Sequence, residues 1–310
     1  MIISPMYQTL CIILALIYTF TTMSVYALEN QSALKKKIFL GANWKCKVGN
    51  GDADEVNELC DNLNKMWSSL TRTEKTLIEL CVNPPYVYID RVRSKLHADI
   101  AVGSQNVYDA TAPNGGNTGA VTPNMLSAVG SEWVLLGHSD RRNNLGETDK
   151  LISEKVKESL AAGQGVILTI GELPNQRRFG FALATLRKQL SAAMKGIKPD
   201  EWDRVVVAYE PVWAVGEGAT PCSPEEAQRI NFELRKFITK RVSAEAAAAC
   251  RLTYTGSVNE KNAKDYASLP DVDGFVVGRA GLDATKLRSI ISTLVESALI
   301  SKSSPSPDEL

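Results

Sequence analysis

Eight short apolar runs, separated by stretches of helical spacing, leave this chain few folds to choose from. The runs are IFLGANW (38–44), LIELCVN (77–83), IAVGSQN (100–106), WVLLGH (133–138), GVILTIG (165–171), RVVVAYE (204–210), RLTYTGS (251–257) and GFVVGR (274–279). Each is strand-length and rich in β-branched or large apolar residues. Apolar residues recur at helical spacing over 54–70, 148–162, 181–196, 225–240 and 286–300. Such alternation predicts parallel strands joined by crossover helices, an α/β fold. Eight units over about 260 residues suit a single closed (β/α)8 barrel better than an open doubly wound sheet. No GxGxxG follows the first run, which weighs against a dinucleotide cofactor.

The barrel is expected at 37–300, preceded by two segments of another kind. Residues 1–27 carry no charge, include CIILALIYTF and end in Val25-Tyr26-Ala27, a pattern that predicts a removable secretory signal peptide. The run is short for a membrane span, for which about 20 apolar residues are needed; an uncleaved anchor is the alternative. Residues 28–36 then form a linker or residual targeting segment, and 301–310, ending SSPSPDEL, a flexible tail. Lys plus Arg and Asp plus Glu number 35 each, so bulk charge favours neither nucleic acid nor a membrane surface, and the expected partner is a small molecule. Loss of the signal removes Cys11 and leaves Cys46, Cys60, Cys81, Cys222 and Cys250, without a CxxC pair or a metal-ligand spacing. Neither a disulfide scaffold nor a metal site is expected.

Side chains alternate faces along a strand. In the first run Asn43 and Lys45 share a face with Phe39 and Gly41; in the fourth, His138 is expected to align with Val134 and Leu136; in the sixth, Glu210 aligns with Val206 and Ala208. Parallel strands bring these polar ends to one mouth, where barrels place their chemistry. An acid at a strand end is ordinarily just solvated, but Glu210 runs into Pro211, Val212, Trp213 and the glycines at 216 and 218. That is the composition of a lid that closes and expels water over a general base. His138 precedes Ser139-Asp140, the expected start of a helix whose positive end would keep the ring neutral and able to donate to a carbonyl oxygen. Lys45, just inside the mouth, needs an anion that a substrate can supply. Gly216, Ser257 and Gly278 follow strands six, seven and eight and free backbone N–H groups, and the loops after the last two strands are where barrels commonly hold phosphate.

FLGANWKC, WVLLGHSDRR, AYEPVWAVGEG, YTGSV and DVDGFVVGRAGL, in this order and spacing over nearly all of 37–297, resemble triosephosphate isomerase. The resemblance implies a TIM barrel and an intramolecular ketose–aldose isomerase of glycolysis and gluconeogenesis, interconverting dihydroxyacetone phosphate and D-glyceraldehyde 3-phosphate through an enediolate. It implies catalytic roles for Glu210 as base, His138 as neutral electrophile and Lys45 as cation, with Asn43 and Lys45 binding substrate. Amides near Gly216, Ser257, Gly278 and Arg279 would hold the phosphate under a lid at 212–222, with Asp140 and Tyr254 in support. No metal or organic cofactor is implied. The loop at 112–120, APNGGNTGA, resembles the family's dimer loop with Thr118 at its tip, so a homodimer is expected.

Several positions depart from the family pattern. Asp140 replaces the usual Glu, and a misplacement of about 1 Å can cost on the order of 10²-fold. The lid carries Glu217, Ala219, Pro221 and Cys222 and one extra residue; Thr255 and Arg279 stand where glycines are usual. A barrel retained for binding after losing turnover is therefore the competing reading, and a different phosphate-binding barrel enzyme is a third. The signal predicts entry to the secretory pathway and onward delivery to a plastid-type organelle, with the ER lumen or secretion as alternatives; DEL matches only the end of a retention tetrapeptide.

Overall fold

Strands buried on both faces read as near-continuous apolar runs, and the eight runs have that character. In the computed structural model, which describes residues 36–49, 52–108, 117–216 and 218–303, they close into one parallel barrel in chain order. The strands are β1 (Ile38–Asn43), β2 (Ile78–Asn83), β3 (Ala101–Ser104), β4 (Trp133–Leu136), β5 (Gly165–Ile170), β6 (Val205–Tyr209), β7 (Arg251–Tyr254) and β8 (Gly274–Val277). Closure comes from β1, which pairs with β2 from Ile38↔Ile78 and with β8 from Phe39↔Gly274. The expected signal at 1–27, the linker apart from Lys36, and 304–310 of the expected tail lie outside the described residues.

Between the strands run α1 (Ala53–Ser68), α2 (Arg72–Leu77), α3 (Ile89–Lys95), α4 (Pro123–Ala128), α5 (Asp149–Ala161), α6 (Pro174–Arg178), α7 (Ala182–Met194), α8 (Pro224–Arg241), α9 (Ala244–Ala249), α10 (Ala263–Ala267) and α11 (Ala284–Ser303). Local chemistry sets their starts: Asp52, Thr148 and Ser223 accept the N–H of Asp54, Leu151 and Glu226, and Thr71 forms a reciprocal capping box with Glu74. The long helices fall where the spacing predicts them. The short ones, α3, α4 and α10 among them, cover too few turns to display a period. Helix α11 runs to Ser303, so the first three residues assigned to a tail at 301–310 are helical.

Two apolar layers meet across the barrel wall. Phe39, Cys81, Trp133, Leu135, Ile167 and Val206 belong to the inner cluster. Leu40, Ala42, Val134, Leu136, Val166 and Leu168 belong to the outer one, against the helices. At the base, Arg251 lies with its guanidinium 5.2 Å from the Phe39 ring and 5.0 Å from the Trp133 ring, ion-paired to Glu79.

The expected phase holds within β1 as far as Asn43 and within β6, and fails in β4. Val134 and Leu136 face outward, whereas Leu135 faces in. His138 reaches the mouth because Gly137 adopts φ +74°, which breaks the alternation and turns the next side chain around. A Cβ at Gly137 would stand 2.7 Å from the Thr169 carbonyl oxygen and 2.8 Å from Arg142 Nη2. Gly137→Ala should therefore cost about 1–3 kcal/mol of stability through backbone strain and depress kcat by displacing His138. Urea titration and steady-state kinetics check both; a variant of parental stability and kcat would contradict the argument.

Candidate active site

Glu210 stands at the end of β6, its N–H bonded to the Ile170 carbonyl at 2.8 Å. The chain packs tightly here: a Cβ at Gly171 would fall 1.9 Å from the Glu210 carbonyl oxygen, so only glycine fits at the end of β5. The carboxyl group is 1 % exposed as a residue and is met by donors from the loop after β4. Ser139 N–H donates to Oε2 at 2.9 Å, Ser139 Oγ donates to Oε1 at 2.9 Å, and His138 Nε2 lies 3.1 Å from Oε1. Asp140 N–H donates to His138 Nδ1 at 3.1 Å. A backbone N–H can only donate, so Nδ1 accepts and the ring proton sits on Nε2, toward Glu210. The helix expected after His138 is a single π-helical turn, Asp140–Asn144; one N–H, rather than the dipole of a long helix, orients the ring.

Across the mouth, β1 ends at Asn43, and Lys45 does not continue its phase. Lys45 has φ +51°, a left-handed conformation rare for a non-glycine residue, and its N–H is held by Asn43 Oδ1 at 3.0 Å. Gln105 grips the same turn, donating to the Lys45 carbonyl at 2.8 Å and the Asn83 carbonyl at 2.9 Å. The ammonium reaches Asp140 Oδ2 at 3.0 Å, and that oxygen lies 3.5 Å from His138 Nδ1. The shorter acid at 140 therefore still touches Lys45. Partial burial pushes the Asp140 carboxyl up, but the hydrogen bond and charge of Lys45 outweigh it and hold the group below its ordinary range.

The loop after β6 is anchored at its start. Val212 N–H donates to the Glu172 carbonyl at 3.2 Å, Trp213 Nε1 to Glu172 Oε1 at 2.6 Å, and Tyr209 hydroxyl to the same oxygen at 3.1 Å. The Arg177 guanidinium covers the Trp213 ring at 3.5 Å. Gly216 and Gly218 take φ +122° and +74°. Ser257, itself at φ +22°, donates its hydroxyl to the Ala214 carbonyl at 3.0 Å. Gly278 starts a short 3-10 turn, Arg279–Leu282, and faces open space; the Arg279 side chain is exposed. Tyr254, the last residue of β7, is buried on its outer face. Thr118 is exposed beside Asn117, which donates to Tyr108; residues 109–116 of its loop lie outside the described residues.

Ser139, Gln105 and Glu172 escaped the reading of the sequence as site residues. Glu172 alone had a signal, since it follows β5 as Glu210 follows β6, an acid after an apolar run.

The family model for triosephosphate isomerase matches residues 38–294. A relative, "Triosephosphate isomerase, cytosolic" of Oryza sativa subsp. japonica, is 40 % identical over 263 residues, 85 % of this chain and 99 % of the relative. Another, "Triosephosphate isomerase" of Emericella nidulans, is 39 % identical over 249 residues, 80 % of this chain and 95 % of the relative. The chain belongs to the triosephosphate isomerase family. It is an enzyme of the triosephosphate isomerase type, and the match covers all eight strands.

The loop that carries His138 in this triosephosphate isomerase barrel is braced from below. Glu147 Oε1 accepts from Arg141 Nε at 2.6 Å, Lys155 Nζ at 2.7 Å and Asn106 Nδ2 at 3.1 Å. Burial pushes the Glu147 carboxyl up, yet the bonds and charges of Lys155 and Arg141 hold it below its ordinary range. Its stabilisation is thus present above the unfolded value of about 4.3 and lost as pH falls through the lower folded value. Glu147→Gln leaves Lys155 buried without its counter-charge, so the variant should lose about 3 kcal/mol at pH 7. The gap to the parent should narrow below about pH 4. Urea titrations at both pH values test this, and an equal gap would contradict it.

Proposed function

We propose that the chain interconverts dihydroxyacetone phosphate and D-glyceraldehyde 3-phosphate through an enediolate, with Glu210, His138, Lys45 and Asn43 at the reacting end. Glu210 takes the proton from the carbon beside the carbonyl and returns it to the former carbonyl carbon. His138, protonated on Nε2, donates to the carbonyl oxygen and moves the proton between the two oxygens. Lys45 and the Asn43 amide stabilise the negative charge. One well-aimed donor at a developing oxyanion is worth about 3–4 kcal/mol. Amides near Gly216, Ser257, Gly278 and Arg279 hold the phosphate, and closure of the 212–222 lid excludes water. No metal or organic cofactor enters this scheme.

A single observation carries the reading: one imidazole lies 3.1 Å from Glu210 Oε1 through Nε2, while its other nitrogen shares Asp140 with the Lys45 ammonium. Through this one imidazole the proposed base, electrophile and cation are linked at one mouth. In this arrangement Glu210 is bound to Ser139, so the base must leave Ser139 to reach carbon. The 3.0 Å contact from Lys45 to Asp140 favours turnover over a barrel kept for binding alone. Tyr254 supports the wall behind the lid. We further propose a homodimer built around the Thr118 loop, and secretory entry with delivery to a plastid-type organelle; imaging a tagged copy tests the latter, which a diffuse cytosolic signal would overturn.

A coupled assay on residues 28–310 tests the chemistry. Glu210→Gln should lower kcat by about 10²–10⁴-fold while the fold persists; parent protein no faster than the variant would end the proposal. Light scattering on the same protein should give twice the chain mass, and a monomer mass would remove the dimer.

A further inference from the structure

The lid differs from its family pattern chiefly at its C-terminal end, and there the structure holds it by a residue on a distant helix. Cys222, the last lid residue, is fully buried, and burial pushes its thiol up to about 12. Its carbonyl accepts the Tyr266 hydroxyl at 2.5 Å. Tyr266 sits on α10, is 3 % exposed, and stacks on Tyr254 with ring centroids 4.6 Å apart and planes inclined by 21°. Tyr254 in turn lies 6.3 Å from Tyr209, the residue before Glu210, whose hydroxyl shares Glu172 Oε1 with Trp213 at the other end of the lid. Val215, Gly216 and 218–221, the described residues between the two ends, make no hydrogen bond. Immediately after Cys222, Ser223 caps α8. Both ends of the lid are thereby tied to one wall of three neighbouring tyrosines, and the stretch between them is left to turn.

We propose that Tyr266 is a positioning residue for the isomerisation: its hydroxyl fixes the Cys222 end of the lid, so that closure is a rotation of the glycine-bearing stretch between two anchored ends. The proposal rests on the lid's closing over substrate as described above. An untethered end leaves the closed lid more ways to sit, and the cost falls on contacts made in the transition state, so it lowers kcat more than it raises KM. Tyr266 touches no reacting atom, and its ring, stacked in the core, also has a packing role. Tyr266→Phe separates the two functions by removing the hydroxyl alone.

Two measurements on the full chain decide it. Tyr266→Phe should keep its melting temperature within a few degrees of the parent, lose about three- to tenfold in kcat, and leave KM within about twofold. Amide hydrogen exchange over 218–226 should be several-fold faster than in the parent, with the barrel strands unchanged. Equal exchange in the two proteins would overturn the tether. Faster exchange with unchanged kcat would overturn its part in the reaction. Parent protein without turnover would instead end the functional reading, a failure visible in the parent and independent of the exchange result.

Discussion

A carboxylate sealed from water is the constraint from which the rest of the site follows. Glu210 is buried beneath the loop after β6, and such a group is tolerated only when its oxygens find donors. Ser139 provides them through its N–H and Oγ, and His138 Nε2 lies 3.1 Å from Oε1. Hydrogen bonds to a charged group contribute about 1.5–3 kcal/mol each, so the cluster has the strength to set where the β4 loop sits. On the proposed mechanism the bonds to Ser139 are given up when Glu210 acts as base. A resting hold that is firm but made of a few separable bonds fits a side chain that has to move.

Meeting that constraint requires backbone that ordinary strand geometry does not supply. Gly137 turns His138 back toward the mouth, and Gly171 lets the end of β5 approach the Glu210 carbonyl. Lys45 accepts a left-handed conformation that costs of order 1–3 kcal/mol. The Asn43 side chain and Gln105 hold it there, and the ammonium ends on Asp140. The shorter acid and the strained lysine turn offset each other: neither residue is where simple alternation would put it, and together they close the contact.

The architecture was legible because it depends on counting. Apolar runs show as strands wherever both faces are buried, and long helices show their period; α3 and α10 do not, because one or two turns carry no repeat. The identities of Glu210, His138, Asn43 and Lys45 were legible as polar residues ending apolar runs. Their geometry was legible only in part. The face of His138 was misread because one glycine dihedral reverses it, and glycine in a sequence does not announce the sign of φ. Ser139 was invisible as a partner of Glu210 because the contact joins residues 71 apart. Whether Asp140 could reach Lys45 depended on a dihedral at the lysine, a residue type with no tendency to signal it.

Strain, burial and movable bonds at the mouth need a scaffold that does not share them, and the barrel divides the two along its axis. Its interior below the mouth is filled by Phe39, Trp133, Leu135, Ile167 and Val206, and Arg251 closes the base between two aromatic rings with its charge met by Glu79. Stability in such a barrel resides at the N-terminal ends of the strands and chemistry at their C-terminal ends, so a mouth that holds a left-handed lysine and a sealed acid can persist because the floor beneath it is dense and apolar. The motif positions singled out in the sequence, Asp140, Thr255, Arg279 and the lid, lie beyond the C-terminal ends of the strands, not in this floor.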